Sequence, residues 1–251
     1  PLLQEILALQ GEVGAEIRAM VVTEQLAQSD NPVKTILHRG WTWAAVAAAA
    51  SLALIFFWPE TAPQELTTVA AQRESVTLED TTQVDLNAHT TLAVKMSGKE
   101  RFVRLANGEA YFNVAKEASR PFRVETPAGV ILVTGTAFNV RMDPSGTMEV
   151  TVLEGTVRVR AGAEELSLKP AEQLWFDGTQ PRVRGLDETS RSDVIAWRRG
   201  RIVFYQTPIR TALEQFARYH DRQISVDASA EGLRLGGQFK LDNFDGFLRD
   251  L

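Results

Sequence analysis

An uncharged run of eighteen residues, "WTWAAVAAAASLALIFFW", extends from Trp41 to Trp58. As a helix it would be roughly 27 Å long, close to the hydrocarbon thickness of a bilayer. Trp41 and Trp43 mark one end and Trp58 the other, where amphipathic rings favour the headgroup region. Lys34 and Arg39 precede the run, Pro59 and Glu60 follow it, and the next basic residue is Arg73. The positive-inside bias therefore predicts one crossing, with residues 1–40 in the cytoplasm and the rest outside. A buried Ala-rich core helix is the competing reading. A cleaved signal peptide is disfavoured, because no small-x-small site follows the apolar run.

Inside, "LLQEILALQGEVGAEIRAMVVTEQL" (2–26) places Leu2, Ile6, Leu9, Val13, Ile17, Met20 and Val21 at spacings of three or four, with Glu5, Glu12, Glu16, Arg18 and Glu24 between them. This is one apolar helical stripe. Gly11 and Gly14 weaken its middle, and "SDNP" at 29–32 ends it. So short a helix cannot bury its own stripe. It packs on further chain or docks in the groove of a cytoplasmic partner.

The chain has 251 residues, a formal charge of −5 and no cysteine. The charge argues against a dedicated nucleic-acid binder. The lack of cysteine excludes disulfides, zinc–thiolate sites and a catalytic thiol. The chain starts at Pro1 and stops at Leu251 just after a helical pattern, so a piece of a longer protein is expected at both ends.

Beyond a Pro-containing linker (59–72), short alternating segments recur every 8–12 residues, which predicts a sandwich or barrel. Val84, Leu86 and Ala88 share one face, as do Leu92, Val94 and Met96. Val103 and Leu105 point inward beside an exposed Arg104, and Ala110, Phe112 and Val114 point inward in their turn. Phe122 and Val124 pair on one face, "GVILV" (129–133) reads as a central strand, and "MEVTVLEGTVRVR" (148–160) reads as a hairpin turning at Glu154-Gly155. "LSLKPAEQLWF" (166–176) closes the array.

Catalytic patterns are missing: there is no G-x-S-x-G, H-E-x-x-H, Walker A or G-x-G-x-x-G. Asp85, Asn87 and His89 alternate on one strand and offer oxygen and nitrogen atoms, but no further ligands are nominated, so a solvated outer face is expected. Asp143-Pro-Ser-Gly146 reads as a turn. No cofactor and no metal are expected.

From Trp197 the pattern changes. "RIVFYQ" (201–206) reads as a strand. It is followed by a helix capped by Thr207 with Pro208 in its first turn and Ile209, Leu213, Phe216 and Tyr219 buried. "QISVD" (223–227) and "GLRLGGQFKL" (232–241) read as strands, and "DNFDGFLRDL" as a second helix capped near Asp242 or Asn243. The order β-α-β-β-α makes a small α+β unit. Its "GLRLGGQ" strand leaves an edge open to a partner.

Five stretches together resemble the FecR-type transmembrane sensors: "VTLEDTTQVDLNAHTTL" (76–92), "RFVRLANGEAYFNVAKEASRPFRVETPAGVILVTGTAFNV" (101–140), "MEVTVLEGTVRV" (148–159), "LKPAEQ" (168–173) and "AWRRGRIVFYQTPIRTALEQFARYHDRQISVD" (196–227). The resemblance implies a mainly β chain. A single transmembrane helix (41–58) would be followed by a jelly-roll-like periplasmic β-sandwich (73–190) and a small α+β module (197–251) similar to the STN domain of secretins and TonB-dependent receptors. It implies a non-enzymatic regulator of an extracytoplasmic-function sigma factor in the inner membrane, N-terminus in the cytoplasm. Its partners would be that sigma factor, the signalling domain of an outer-membrane TonB-dependent receptor for ferric siderophores or ferric citrate, and an intramembrane protease, with no direct nucleic-acid contact. The expected sigma-facing residues are Ile6, Leu9, Val13, Ile17 and Met20. The expected receptor-facing residues are Leu233, Arg234, Leu235, Gln238 and Lys240. A second reading is an anchored module that binds polysaccharide or peptidoglycan, with Tyr111 and Trp175 stacking on sugar. The cytoplasmic stripe has no use in that reading.

Overall fold

The computed structural model describes residues 63–220, 222, 225–249 and 251. The run 41–58 and the stripe Ile6, Leu9, Val13, Ile17 and Met20 lie outside the described residues. Among the described residues, no helix is long and apolar enough to cross a membrane.

Thirteen strands form one curled sheet: β1 (Gln64–Thr67), β2 (Glu74–Thr77), β3 (Gln83–Leu86), β4 (Thr91–Met96), β5 (Arg101–Asn113), β6 (Phe122–Thr126), β7 (Gly129–Val133), β8 (Ala137–Met142), β9 (Met148–Glu154), β10 (Val157–Ala161), β11 (Glu164–Leu168), β12 (Glu172–Phe176) and β13 (Arg182–Gly185). One half runs β1-β4-β5-β6-β7-β10-β11 and the other β2-β3-β5-β8-β9-β12-β13. Neighbours are antiparallel except β5 and β6. Inward side chains of both halves make one core, with Phe112 against Phe122 of one half and Phe138 of the other.

Strand β5 belongs to both halves. Arg101, Val103 and Leu105 are buried, then Ala110 and Phe112, so the inward parity changes from odd to even. With a side-chain period of two, such a slip needs an extra residue. The β4–β5 register shifts there, Leu92 facing Leu105 while Thr91 faces Asn107. Next to the shift, Gly108 has φ +91, and a Cβ on it would lie 2.5 Å from Thr90 Cα and 2.6 Å from the His89 carbonyl. A straight strand of this length would run roughly 43 Å. The Ala115 carbonyl nonetheless accepts a hydrogen bond of 3.0 Å from Arg101 Nη1, so the strand doubles back.

Arg101 closes the loop that results. Its side chain is fully buried, pairs with Asp80 at 3.1 Å, and donates to the carbonyls of Arg120 (2.8 Å) and Glu117 (3.2 Å). Burying a guanidinium is costly unless its fork of donors is matched by acceptors, and here four oxygens meet it.

The expected hairpin at 148–160 is not one. β9 pairs with β8 and β12, and β10 pairs with β7 and β11. Gly155, at φ +81 and with its Cβ position 3.0 Å from Thr136 Oγ1, carries the chain from one half of the sheet to the other. Alternation reports which side chains face inward and is silent on which strand lies alongside. The linker is also shorter than read: β1 occupies 64–67 and pairs with β4. "GVILV" is central, between β6 and β10.

After β13 come helix α1 (Glu188–Val194), a 3-10 turn (Ala196–Arg199), β14 (Arg201–Pro208), helix α2 (Ile209–Ala217), β15 (Arg234–Lys240) and helix α3 (Phe244–Arg249). β14 and β15 form an antiparallel pair, and Phe204, Ile209, Ala212, Leu213, Phe216, Leu235 and Phe247 form a second core. The cap of α2 is Pro208, not Thr207, and it makes no side-chain cap bond, because β14 continues through both residues. Residues 225–227, read as strand, are irregular. Asn243 does cap the last helix, its Oδ1 accepting from Gly246 N at 3.0 Å.

Replacing Gly108 by Ala is expected to cost about 3 kcal/mol, combining a strained positive φ with overpacking. Gly98, with nothing within 4 Å of its Cβ position, should tolerate Ala to within about 0.5 kcal/mol. Arg101→Met should cost about 3–5 kcal/mol by stranding Asp80. Urea denaturation of the three variants checks all of this.

Candidate functional site: the junction of the β-domain and the C-terminal module

The turn after β3 joins the two cores. Asn87 is fully buried in it, and its Nδ2 donates to Glu109 Oε2 (2.8 Å) and to the Tyr219 hydroxyl (2.7 Å). Asn139 Nδ2 donates to the other Glu109 oxygen at 2.9 Å. Both amides therefore serve one buried carboxylate, and Tyr219 brings the end of α2 onto that cluster. Around it pack Ala88, Trp197 and Leu241. Arg218 donates to the Ala88 carbonyl at 3.1 Å, and Arg73 to the Trp197 carbonyl at 2.6 Å. Burial and the nearby Glu109 charge raise the Tyr219 pKa, so the phenol stays protonated.

The reading of Asp85, Asn87 and His89 as one solvated face is corrected here. β3 ends at Leu86, Asn87 turns inward, and His89 sits exposed in a positive-φ turn. Asp85 receives Arg198 Nε at 2.5 Å, and the same guanidinium lies 3.8 Å from the Tyr111 ring centre. No cluster of metal-ligating side chains occurs among the described residues. The ring faces proposed for sugar stacking carry protein cations: Arg198 over Tyr111, and Arg182 over Trp175 at 5.2 Å.

Two openings flank the junction. A cleft of about 470 Å³ lies between the β8-β9-β12 face and α1, β14 and α2. In it, burial raises the Glu149 pKa against the opposing pull of Arg141. Burial pushes the Arg141 pKa down, but Glu149, Glu109 and Asp143 outweigh it and leave that pKa raised. The Tyr205 hydroxyl donates to Asp193 and ties β14 to α1 at this rim. A larger groove, about 1030 Å³, runs beside β2 and β3 and the 3-10 turn.

Of the expected receptor-facing residues, Leu233, Arg234, Gln238 and Lys240 are exposed. Arg234 donates to the Gln206 carbonyl at 2.7 Å, and Gln238 accepts from Arg201 at 2.9 Å. Leu235 is a core residue of the module, only 8 % exposed, because β15 alternates and its odd positions face α2. Glu109, Asn139 and Arg198 went unread in the sequence, and Asn87 reads there as solvated. Alternation gives them no signal, since it turns Ala88 and Ala110 inward beside Asn87 and Glu109, and their mutual contacts appear only once the strand pairing is known.

The geometry defines a class by fold: a curled β-sheet domain with a small α+β module packed on it through Asn87, Tyr219 and Trp197. Residues 64–158 match the family described as FecR protein. Two crystal structures of a candidate anti-sigma factor from Parabacteroides distasonis are similar, each with a TM-score of 0.67 at 27 % identity. They cover 75 % and 74 % of this chain and 89 % of that chain. No curated protein matches.

His220 ends the α2 region between Phe216 (ring centres 4.8 Å apart) and Phe244 (4.9 Å). Burial, then Arg222, lowers its pKa, while Asp242 and a backbone bond at Leu241 oppose them. The unfolded chain therefore binds the proton more readily, and the His220 contribution to stability is lost as pH falls below about 6.5. Hydrogen exchange of the α2 amides should quicken as pH drops from 7 to 5, after correction for intrinsic rates, and His220→Phe should flatten that dependence. Tyr219→Phe should loosen the module by about 1–2 kcal/mol, since Asn87 loses a buried partner. Protease cleavage between 177 and 187 reports it.

Proposed function

We propose that the chain regulates a sigma factor, relaying an extracytoplasmic binding event across the inner membrane to transcription. The observation that carries this is the joint match of the β-domain to the FecR family and of three-quarters of the chain to a candidate anti-sigma factor. The FecR family is regulatory and not enzymatic, and the recognition surfaces described above suit that role. In finer detail, the partner inside is an extracytoplasmic-function sigma factor held by the stripe Ile6, Leu9, Val13, Ile17 and Met20. The anchor is residues 41–58. The partner outside is the signalling domain of a TonB-dependent receptor of the iron-uptake type, met by Leu233, Arg234, Gln238 and Lys240 on the STN-like module. An intramembrane protease is the natural route of release from an Ala-rich anchor.

Physically, such a relay needs a two-state element that the outer partner biases. The docked module is suited to be that element, because its attachment rests on a few contacts: Asn87–Tyr219, Asp85–Arg198 and the Ala88, Trp197, Leu241 cluster.

Capture from a host lysate on the full chain in detergent should retain a sigma factor. Ile6→Asp with Val13→Asp should abolish that retention while leaving the β-domain folded. Retention unchanged by the pair of substitutions, or no sigma factor at all, overturns the reading. Arg234→Glu with Lys240→Glu should weaken capture of a receptor signalling domain at least tenfold and leave sigma capture unchanged.

A further inference from the structure

We propose that the groove of about 1030 Å³ between β2 and the C-terminal module binds an extended acidic segment of a partner protein, which adds as a strand beside β2. Two independent observations meet there. The first is a free edge: β2, whose Glu74 and Ser75 line the groove, pairs with β3 alone among the described residues and ends its half of the sheet. Its outer main-chain groups are available to another strand. The second is charge. Arg73, Arg198, Arg199, Arg201 and Lys240 line the groove, against Glu74, Asp85 and Asp242, in a chain whose net charge is −5.

The cations divide by what already holds them. Arg198 is bound by Asp85 and stacked on Tyr111, Arg73 is held by the Trp197 carbonyl, and Arg201 by the Gln238 amide. These are fixed walls. Arg199 and Lys240 are exposed and have no ion-pair partner among the described residues. They are the groups left to meet a ligand's charge. Successive side chains on one face of a strand stand roughly 7 Å apart. An Asp or Glu at every second position would therefore put carboxylates along the cationic wall while the backbone pairs with β2. A compact anion uses the charge but not the edge, and a neutral strand uses the edge but not the charge. The two together select an extended acidic peptide.

The groove is bounded on one side by the β-domain and on the other by the module, so its occupant touches both. A ligand there favours the docked arrangement over any in which the module has moved. This deepens the receptor-side reading by giving the chemistry of the segment. It needs neither receptor nor sigma factor to be tested, so its failure leaves sigma capture standing, and the reverse holds as well.

The test uses the full chain in detergent and three fluorescein-labelled nonapeptides. One alternates Asp with Val, one has Lys for every Asp, and one keeps Asp but has Pro for every Val. Fluorescence anisotropy at physiological salt should show saturable binding of the Asp–Val peptide. The Lys and Pro peptides should bind at least tenfold more weakly. Arg199→Glu with Lys240→Glu should raise the Asp–Val Kd at least tenfold, and Arg199→Ala with Lys240→Ala three- to tenfold. Near-ultraviolet circular dichroism checks that Trp197 stays packed. No saturable binding, equal binding of the Lys peptide, or a Kd unmoved by both double variants overturns the proposal. Equal binding of the Pro peptide also overturns it, in favour of simple polyanion attraction.

Discussion

Strand β5 must serve two sheet halves at once, and the rest of the β-domain follows from how it manages this. A bend of the required sharpness needs a residue without a Cβ, because the His89–Thr90 backbone fills the space where one would be. The bend then brings β5's two ends together, and the returning loop lays its carbonyls around a buried guanidinium. Arg101 is thus a tie between the start of β5 and everything that follows its end, including the parallel entry of β6. The apolar core supplies the bulk of the driving force. The bend and its tie decide which of the many alternating segments become neighbours.

The second dependency is at the junction. A carboxylate as buried as Glu109 needs partners for both oxygens. It takes them from Asn87 and Asn139, and Asn87 has an amide hydrogen left for Tyr219. The module's attachment is therefore built on a network that the β-domain needs in any case. Beyond the small apolar cluster of Ala88, Trp197 and Leu241, its remaining contacts are ion pairs and carbonyl bonds at a polar rim, which are weaker in water than inside a core. Such an interface holds a resting arrangement that a partner could strengthen or release, which is what the proposed relay asks of it.

Much of the fold was legible. Inward positions such as Val84, Phe112, Val124 and Val150 followed from period-two alternation, and the α2 stripe from three-and-four spacing. The parity slip between Leu105 and Ala110 did not identify the bulge, because two separate short strands give the same pattern as one bent strand. The crossover at Gly155 was not legible, because a glycine at positive φ suits a hairpin turn and a sheet change equally well. Leu235 was nominated for a surface and proved to be core, since a two-stranded unit covered by a helix on one face buries alternate residues even next to exposed ones.

The sequence by itself determined what faces inward, where the chain changes character, and the family it resembles, because burial patterns and turn residues act over a few positions. It also marked 41–58 as a membrane-length run, from length and charge alone. Only the tertiary structure decided that Asn87, Glu109, Asn139 and Tyr219, spread over 132 positions between the first and last, form one cluster, and that five cations line a groove beside a free strand edge. Those facts depend on which strand lies beside which. Pairing is settled by the closing of the whole sheet around one bent strand, a constraint that no local segment carries.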